Sequence, residues 1–290
     1  MTEVKLLEGK ILAAQIQQEI KIFIENLRVS GKQVPGLLVL QANQDPASDW
    51  YIGQQEKLAA KLGIYFEKIG PAQLTSQDKL CEALTNAGAG KPPGKFHGIF
   101  IAMPFPAGFD ADKILFQLDP RKDVEGVHPA SLGLIVLRKS ALIPPTAFAA
   151  LKLIESTGVS LRGKKAVIIG QSAIVGRPLQ LLLGERRVTT IVCNTGTSQA
   201  DLQKFIAESD IVVACAGQPG LVRGEWVREG AIVIDVGTTA VGGKLAGDVD
   251  FEGAKKRAGF ITPVPGGVGP LTVTMLMQNL IKAYEWQIAL

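Results

Sequence analysis

The chain has 290 residues, 47% hydrophobic and 20% charged, with a formal net charge of +4. This is ordinary composition for a soluble globular protein, with length for one large or two medium domains. The positive excess is small and not gathered into runs, so no nucleic-acid-binding face is expected. Three widely spaced cysteines, Cys81, Cys193 and Cys215, form neither a disulfide framework nor a zinc pattern; they read as buried, reduced thiols. The opening MTEVKLLEGK has no long apolar core and no apolar run reaches membrane-span length, so a cytoplasmic protein without membrane attachment is expected.

Residues 9–29 predict a long amphipathic helix, with Ile11, Ile16, Ile20, Ile24 and Leu27 near one face and Gly31 as its stop. PGLLVLQA reads as a buried strand, and DPASDWYIGQQEKLAAKLG as a helix closed by Gly63. IYFEKIG is the next strand, TSQDKLCEALTNAG a helix, and HGIFIAMPFP a buried strand running into a proline-punctuated loop. A second α/β unit begins near Pro144. LRGKKAVIIGQSAIVGRPLQLLLGE is strand, glycine turn and helix; VTTIVCNT, DIVVACAG and AIVIDVG are further strands, with SQADLQKFIAES a helix among them. The alternation predicts parallel α/β architecture. The expected division is a first domain over 1–140 and a Rossmann-like dinucleotide-binding domain over 141–270. The apolar terminal helix, 271–290, would return to complete the first domain.

The turn AVIIGQSAIVGRP places Gly170, Ser172 and Gly176 between strand and helix. Glycines there let backbone approach a pyrophosphate, whose charge the helix amino terminus favours. The spacing G-x-S-x-x-x-G also suits a tight connection that binds nothing, so the signal rests on its context of glycine-ended strands. The second strand ends in Cys193-Asn194-Thr195-Gly196-Thr197, without the carboxylate that holds ribose hydroxyls in an NAD site. Such an end does not repel a 2′-phosphate, and the balance leans to NADP. Arg177, Arg186 and Arg187 are nearby cations that read equally as solvated helix-face residues.

DPASxxY, KDVEGxHP, GQSxxVGRP, GDVDF and above all TPVPGGVGPLT resemble the bifunctional methylenetetrahydrofolate dehydrogenase/methenyltetrahydrofolate cyclohydrolase family, in that family's order through nearly the whole chain. The resemblance implies two α/β domains, usually in a homodimer, with folate against the first domain and NADP or NAD on the second. It implies oxidation of 5,10-methylenetetrahydrofolate, followed in many members by water addition to the methenyl product. Tyr51 matches the family's active-site tyrosine. Tyr51, Gln55, Ile101, Ala102, Met103, Glu125, Pro265, Gly266, Gly267, Val268 and Gly269 are then expected at the folate. Tyr51, Gln55 and Glu125 stand at its catalytic positions. Gly170, Gln171, Ser172, Gly176, Thr195 and Thr238 are expected at the dinucleotide, and no metal is implied.

The carry-over is uneven. Gln55 falls where the family has its catalytic lysine, and Ala102 where a glutamine usually bonds that lysine. Glu125 replaces an aspartate that holds the pterin, Ser131 a frequent asparagine, and Gln171 the arginine of the usual GRS turn. The family's PxTPxG stretch appears as Pro144-Pro145-Thr146-Ala147-Phe148-Ala149. Hydride removal leaves a cation stabilised by two nitrogens and needs positioning, whereas water addition needs proton exchange, which an amide cannot perform. A dehydrogenase with weak or lost cyclohydrolase activity is the expectation. Two alternatives stay open: a non-catalytic descendant that binds dinucleotide or folate, and an oxidoreductase with a changed substrate. His97 and His128 are too isolated for metal or base roles; His128 reads as a hydrogen-bonded loop histidine.

Overall fold

The computed structural model describes residues 4–88, 94–139 and 142–289. It divides into two compact units, one of Met1–Ala14 and Pro145–Thr272, the other of Gln15–Pro144 and Val273–Leu290. The division falls inside helix α1 (Gly9–Val29) and inside helix α10 (Val268–Ile288). The two-domain α/β class expected from the sequence is therefore observed.

The larger-sheet unit contains six parallel strands: β1 (Lys5–Leu6), β5 (Lys165–Ile169), β6 (Thr189–Cys193), β7 (Ile211–Ala214), β8 (Ile232–Asp235) and β11 (Phe260–Ile261). Their spatial order is β1-β11-β8-β7-β5-β6. Helices α6 (Pro145–Ser156), α7 (Gly176–Glu185), α8 (Gln199–Glu208) and α9 (Phe251–Lys255) accompany them, with a small antiparallel hairpin of β9 (Thr239–Val241) and β10 (Lys244–Ala246). The central strands are aliphatic runs, such as Val167-Ile168 and Val212-Val213, buried on both faces as a helix-covered parallel sheet requires.

The expected boundary differs here. A first domain beginning at residue 1 does not account for β1, which pairs with β11 in the register Lys5↔Phe260 and Leu6↔Ile261. The chain start thus extends the sheet of the second unit, whose contiguous part begins at Pro145. Two residues are too short to show strand alternation, and their partner lies some 250 residues away. Helix α6 was not expected either; its Pro145 start and small, alanine-rich body mask the period.

The smaller-sheet unit carries β2 (Gly36–Leu40), β3 (Tyr65–Ile69) and β4 (Gly98–Ile101), parallel in the order β3-β2-β4. Its helices include α2 (Pro46–Leu62), α3 (Gln77–Gly88), α4 (Ala111–Gln117) and α5 (Pro129–Val136). Helix α1 buries Ile16, Ile20, Ile24 and Leu27 as expected, but Ile11 is 59% exposed. Five residues before Ile16 places it about 140° around the helix from that stripe. Cys193 is buried and unpaired, whereas Cys81 and Cys215 are only half-buried. Among the described residues no helix is long and apolar enough to cross a membrane, and no cluster of three or more His, Cys, Asp or Glu suits a metal ion.

Candidate active site

In each parallel sheet one strand has later strands on both of its sides, so the order across the sheet reverses there: β5 lies between β6 and β7, and β2 between β3 and β4. Ligands collect at the carboxyl ends of strands where a parallel sheet reverses its order in this way. Most of the candidate residues fall at these two places; Thr238 and Pro265–Gly269 do not.

At the ends of β5 and β7 the backbones nearly touch. A Cβ on Gly170 would lie 2.4 Å from the Cys215 carbonyl oxygen, and one on Gly176 2.0 Å from that of Gly170. Gly170 also holds φ +124°, a conformation that L side chains rarely adopt. Helix α7 then starts at Gly176 with no side chain capping its amino terminus, so its uncapped dipole end favours an anion.

Beside this turn is a cavity of about 780 Å³, whose lining includes Gly170, Gln171, Ser172, Asn194, Thr195, Thr197, residues of the 215–221 loop, Arg223 and Trp226. The glycine cradle, the uncapped helix start and the hydroxyl and amide lining suit a dinucleotide. Of the six residues expected there, Gly170, Gln171, Ser172 and Thr195 line the cavity. Gly176 supports the turn from behind, and Thr238 is exposed and does not line it.

None of the three arginines considered from the sequence lines the cavity. Arg186 pairs with Glu155 at 2.9 Å and with Glu185 at 3.2 Å; Arg177 and Arg187 are exposed. The GDVDF motif shapes the wall instead. Asp248 Oδ2 accepts from the amides of Ala216 (2.7 Å) and Gly217 (2.9 Å). Asp235 in turn accepts from the amides of Gly237, Asp248 and Val249, each at 3.0 Å. Burial outweighs those bonds and pushes the Asp235 carboxyl up to about 6. Burial, and then the Asp248 charge, push the Cys215 thiol up to about 12, so it stays an unreactive thiol.

At the other switch point the site is built from side chains. Asp45 caps α2 by accepting from the Ser48 amide at 2.9 Å, with Pro46 at the first helical position. The Ser48 hydroxyl is within hydrogen-bond reach of Asp45 Oδ2 (3.0 Å) and of the Met103 carbonyl (3.2 Å). The DPAS string therefore anchors α2 to the loop after β4. Asn43 strengthens the joint, donating to the Pro104 carbonyl at 2.9 Å.

Tyr51 and Gln55 then project from one face of α2, four residues apart. The Tyr51 ring meets Phe100 of β4 at 5.8 Å. Ile101 and Ala102 are buried at the β4 end, and Met103 is 37% exposed beyond them. Gln55 is fully buried, yet among the described residues neither polar atom of its amide has a hydrogen-bond partner. Orphaned buried amides are rare because the lost hydration is costly. A ligand or water that accepts from and donates to Gln55 would satisfy it.

The KDVEG loop supplies the acids. Asp123 Oδ2 accepts from the His128 amide (2.8 Å) and the Ser131 hydroxyl (2.7 Å), while its Oδ1 is buried without a partner among the described residues. Ser131 thus does a positioning task with a hydroxyl. His128 caps α5, its Nδ1 accepting from the Ala130 amide, as a hydrogen-bonded loop histidine should. His97 accepts from the Gly36 amide, and burial depresses its pKa to about 4.

Half-buried Glu125 is pushed up to about 8, first by burial and then by the Asp123 charge. Tyr51 is pushed well above the usual phenol range, by burial and then by Glu125. Tyr51, Glu125 and the β4 end are thus brought to one neighbourhood. The strings 101–103 and 265–269 fall in different units: Pro265–Gly269 belongs to the larger-sheet unit, where a Cβ on Gly9 would strike the Gly267 carbonyl at 1.8 Å.

Sequence reasoning missed three groups. Asn279 of α10 donates to the carbonyls of Val124 (2.8 Å) and Ile143 (2.7 Å), holding the KDVEG loop. Its signal was an amide within the apolar MLMQNLI stretch. Gln41, buried at the end of β2, donates to Asp49 at 3.0 Å. Arg223 lines the cavity from a segment without a recognisable motif.

Residues 7–125 match the tetrahydrofolate dehydrogenase/cyclohydrolase catalytic domain, and residues 144–288 match the NAD(P)-binding domain of the same family. The bifunctional protein FolD of Halothermothrix orenii is 41% identical over 97% of this chain and 98% of its own length. The Trypanosoma brucei methylenetetrahydrofolate dehydrogenase-cyclohydrolase, solved with NADP and an inhibitor, superposes with TM-score 0.93 at 35% identity, covering all of both chains. The bifunctional FolD of Campylobacter jejuni gives TM-score 0.89 at 35% identity over 97% of this chain and 99% of that one. This chain belongs to the tetrahydrofolate dehydrogenase/cyclohydrolase family.

Proposed function

We propose that the protein oxidises 5,10-methylenetetrahydrofolate to the 5,10-methenyl compound, and that its capacity to hydrate that product is weak or lost. The observation that carries this reading is Gln55: a wholly buried, unpartnered, non-ionisable amide on the helix face of Tyr51. NADP or NAD, held at the Gly170 turn, supplies the hydride acceptor. The chain's own part in oxidation is positioning. Tyr51, packed on Phe100, offers a ring face to the folate, and Gln55 offers a donor and an acceptor for a fixed orientation. Loss of hydride from the methylene carbon leaves positive charge shared by its two nitrogens, so no proton need leave.

Hydration is different. The attacking water loses a proton and a folate nitrogen gains one as the ring opens, a service commonly worth roughly 10²–10⁴-fold. Gln55 cannot perform it, and Ala102, buried at the β4 end, has no side chain that could hydrogen-bond. The homodimer implied by the resemblance is part of the same reading.

A second reading rests on Glu125. Its carboxyl, pushed up to about 8, exchanges protons near neutral pH and interacts with Tyr51. On that reading some hydration persists, carried by Glu125 rather than by residue 55. One assay separates the two. The protein is mixed with methylenetetrahydrofolate and NADP or NAD, and reduced nicotinamide and methenyltetrahydrofolate are followed together. Methenyl product accumulating as the nicotinamide is reduced supports the first reading; its hydration at the pace of reduction supports the second. No reduction with either dinucleotide overturns both and favours a binding protein or a changed substrate, which calorimetry with folate analogues then separates.

A further inference from the structure

We propose that Arg223 receives the phosphate on the adenosine 2′-hydroxyl and so directs this chain toward NADP. The proposal rests on the dinucleotide reading of the Gly170 cavity and assigns its specificity. Three observations meet there. First, among the described residues Arg223 is the only charged one lining the cavity. Second, among the described residues no carboxylate forms an ion pair with it, and its guanidinium lies over the buried Trp226 ring, 5.6 Å from the centroid. The ring holds the cation in place without neutralising it. Third, the end of β6 contributes Asn194, Thr195 and Thr197 to the same lining, with no acid to repel an anion or to claim ribose hydroxyls. Asp201, the nearest acid in sequence, is bonded to the Ser198 hydroxyl at 2.8 Å and does not line the cavity.

The turn itself cannot supply the charge, because its second position is the neutral Gln171. A guanidinium presents a planar fork that matches a phosphate with paired hydrogen bonds, and Arg223, at the start of the 3₁₀ turn Gly224–Trp226, is exposed enough to reach one without desolvation. The device is thus a displaced cation: the charge absent from the glycine turn is provided from the segment after β7.

The test is calorimetric titration of the purified protein with 2′,5′-ADP, 5′-AMP, NADP and NAD. The unmodified protein should bind 2′,5′-ADP more tightly than 5′-AMP, by roughly tenfold to a hundredfold at low salt, with the gap narrowing as salt rises. In Arg223→Gln that gap should close, and adding Gln171→Arg to it should reopen the gap. Circular dichroism of each variant should match the parent, since Arg223 is exposed. Equal binding of the two nucleotides by the unmodified protein, or an undiminished gap in Arg223→Gln, overturns the assignment of Arg223 while leaving the dehydrogenase reading intact. Absence of binding by all four ligands overturns both.

Discussion

The two switch points share a topology and differ in what they are made of. At β5 and β7 the site is backbone: glycines pressed to 2.0–2.4 Å of carbonyl oxygens by any added Cβ, an uncapped helix start and small polar side chains around an open cavity. At β2 and β4 it is side chains: a buried amide without partners, a carboxyl pushed up to about 8 and a phenol pushed beyond its usual range. A backbone site selects a shape common to many nucleotides. A side-chain site encodes the chemistry, so one substitution there alters what the protein can do. Within one chain, the first can keep its ligand while the second changes its reaction.

The sharpest way to break this contrast is Gly170→Ala. The added carbon collides with the Cys215 carbonyl in a left-handed conformation. Dinucleotide affinity should fall more than about a hundredfold, and strain of order 1–3 kcal/mol should lower the melting temperature. Calorimetry and a thermal scan check both; retained affinity would show that the cradle is not backbone-built. Next in size is the other switch point. Gln55→Lys should raise methenyl hydration by less than about tenfold, because Ala102 leaves the new ammonium unsupported. Gln55→Lys with Ala102→Gln should raise it further, toward the 10²–10⁴-fold range of acid–base catalysis. The decay of methenyl absorbance reads this directly, and a full gain from the single change would remove Ala102 from the account.

Glu125 gives a pH signature. Its folded pKa, about 8, stands above its ordinary 4.5, so the native state holds the proton that the unfolded chain releases. The stability contribution of the neutral carboxyl is complete below pH 4.5, declines as pH rises toward 8, and is flat above. The decline is no steeper than about 1.4 kcal/mol per pH unit. Urea unfolding of the parent and of Glu125→Gln across this window should show the parent losing stability relative to the variant; parallel curves would place an ionised carboxylate there. The smallest effect expected is Ser131→Ala, about 1 kcal/mol, since Asp123 keeps the His128 amide when the hydroxyl is gone.

Much of this contrast was legible in advance, and for local reasons. The DPAS cap, the Gly63 stop and the glycine turn are interactions within a few residues, so a short string carries them. Helix α1 was readable because four apolar residues share a stripe, and Ile11 was misjudged because the period was applied loosely at its end. Boundaries fared differently. Lys5-Leu6 forms a strand only because Phe260-Ile261 is there to pair with it. Cations near the glycine turn in sequence are Arg177, Arg186 and Arg187, and none of them lines the cavity. Folding instead brings in Arg223 and gives Arg186 to Glu155.

By itself the amino-acid string determined the alternation of strands and helices, the family to which the motifs belong, and the absence of an ionisable group at position 55. These depend on residue identity and on neighbours close along the chain. Only the tertiary structure decided that Gln55 is buried without a hydrogen-bond partner among the described residues, that burial raises the pKa of Glu125, and that Arg223 lines the cavity. Burial, pairing and local charge are set by residues far apart in sequence, and packing alone brings those residues together.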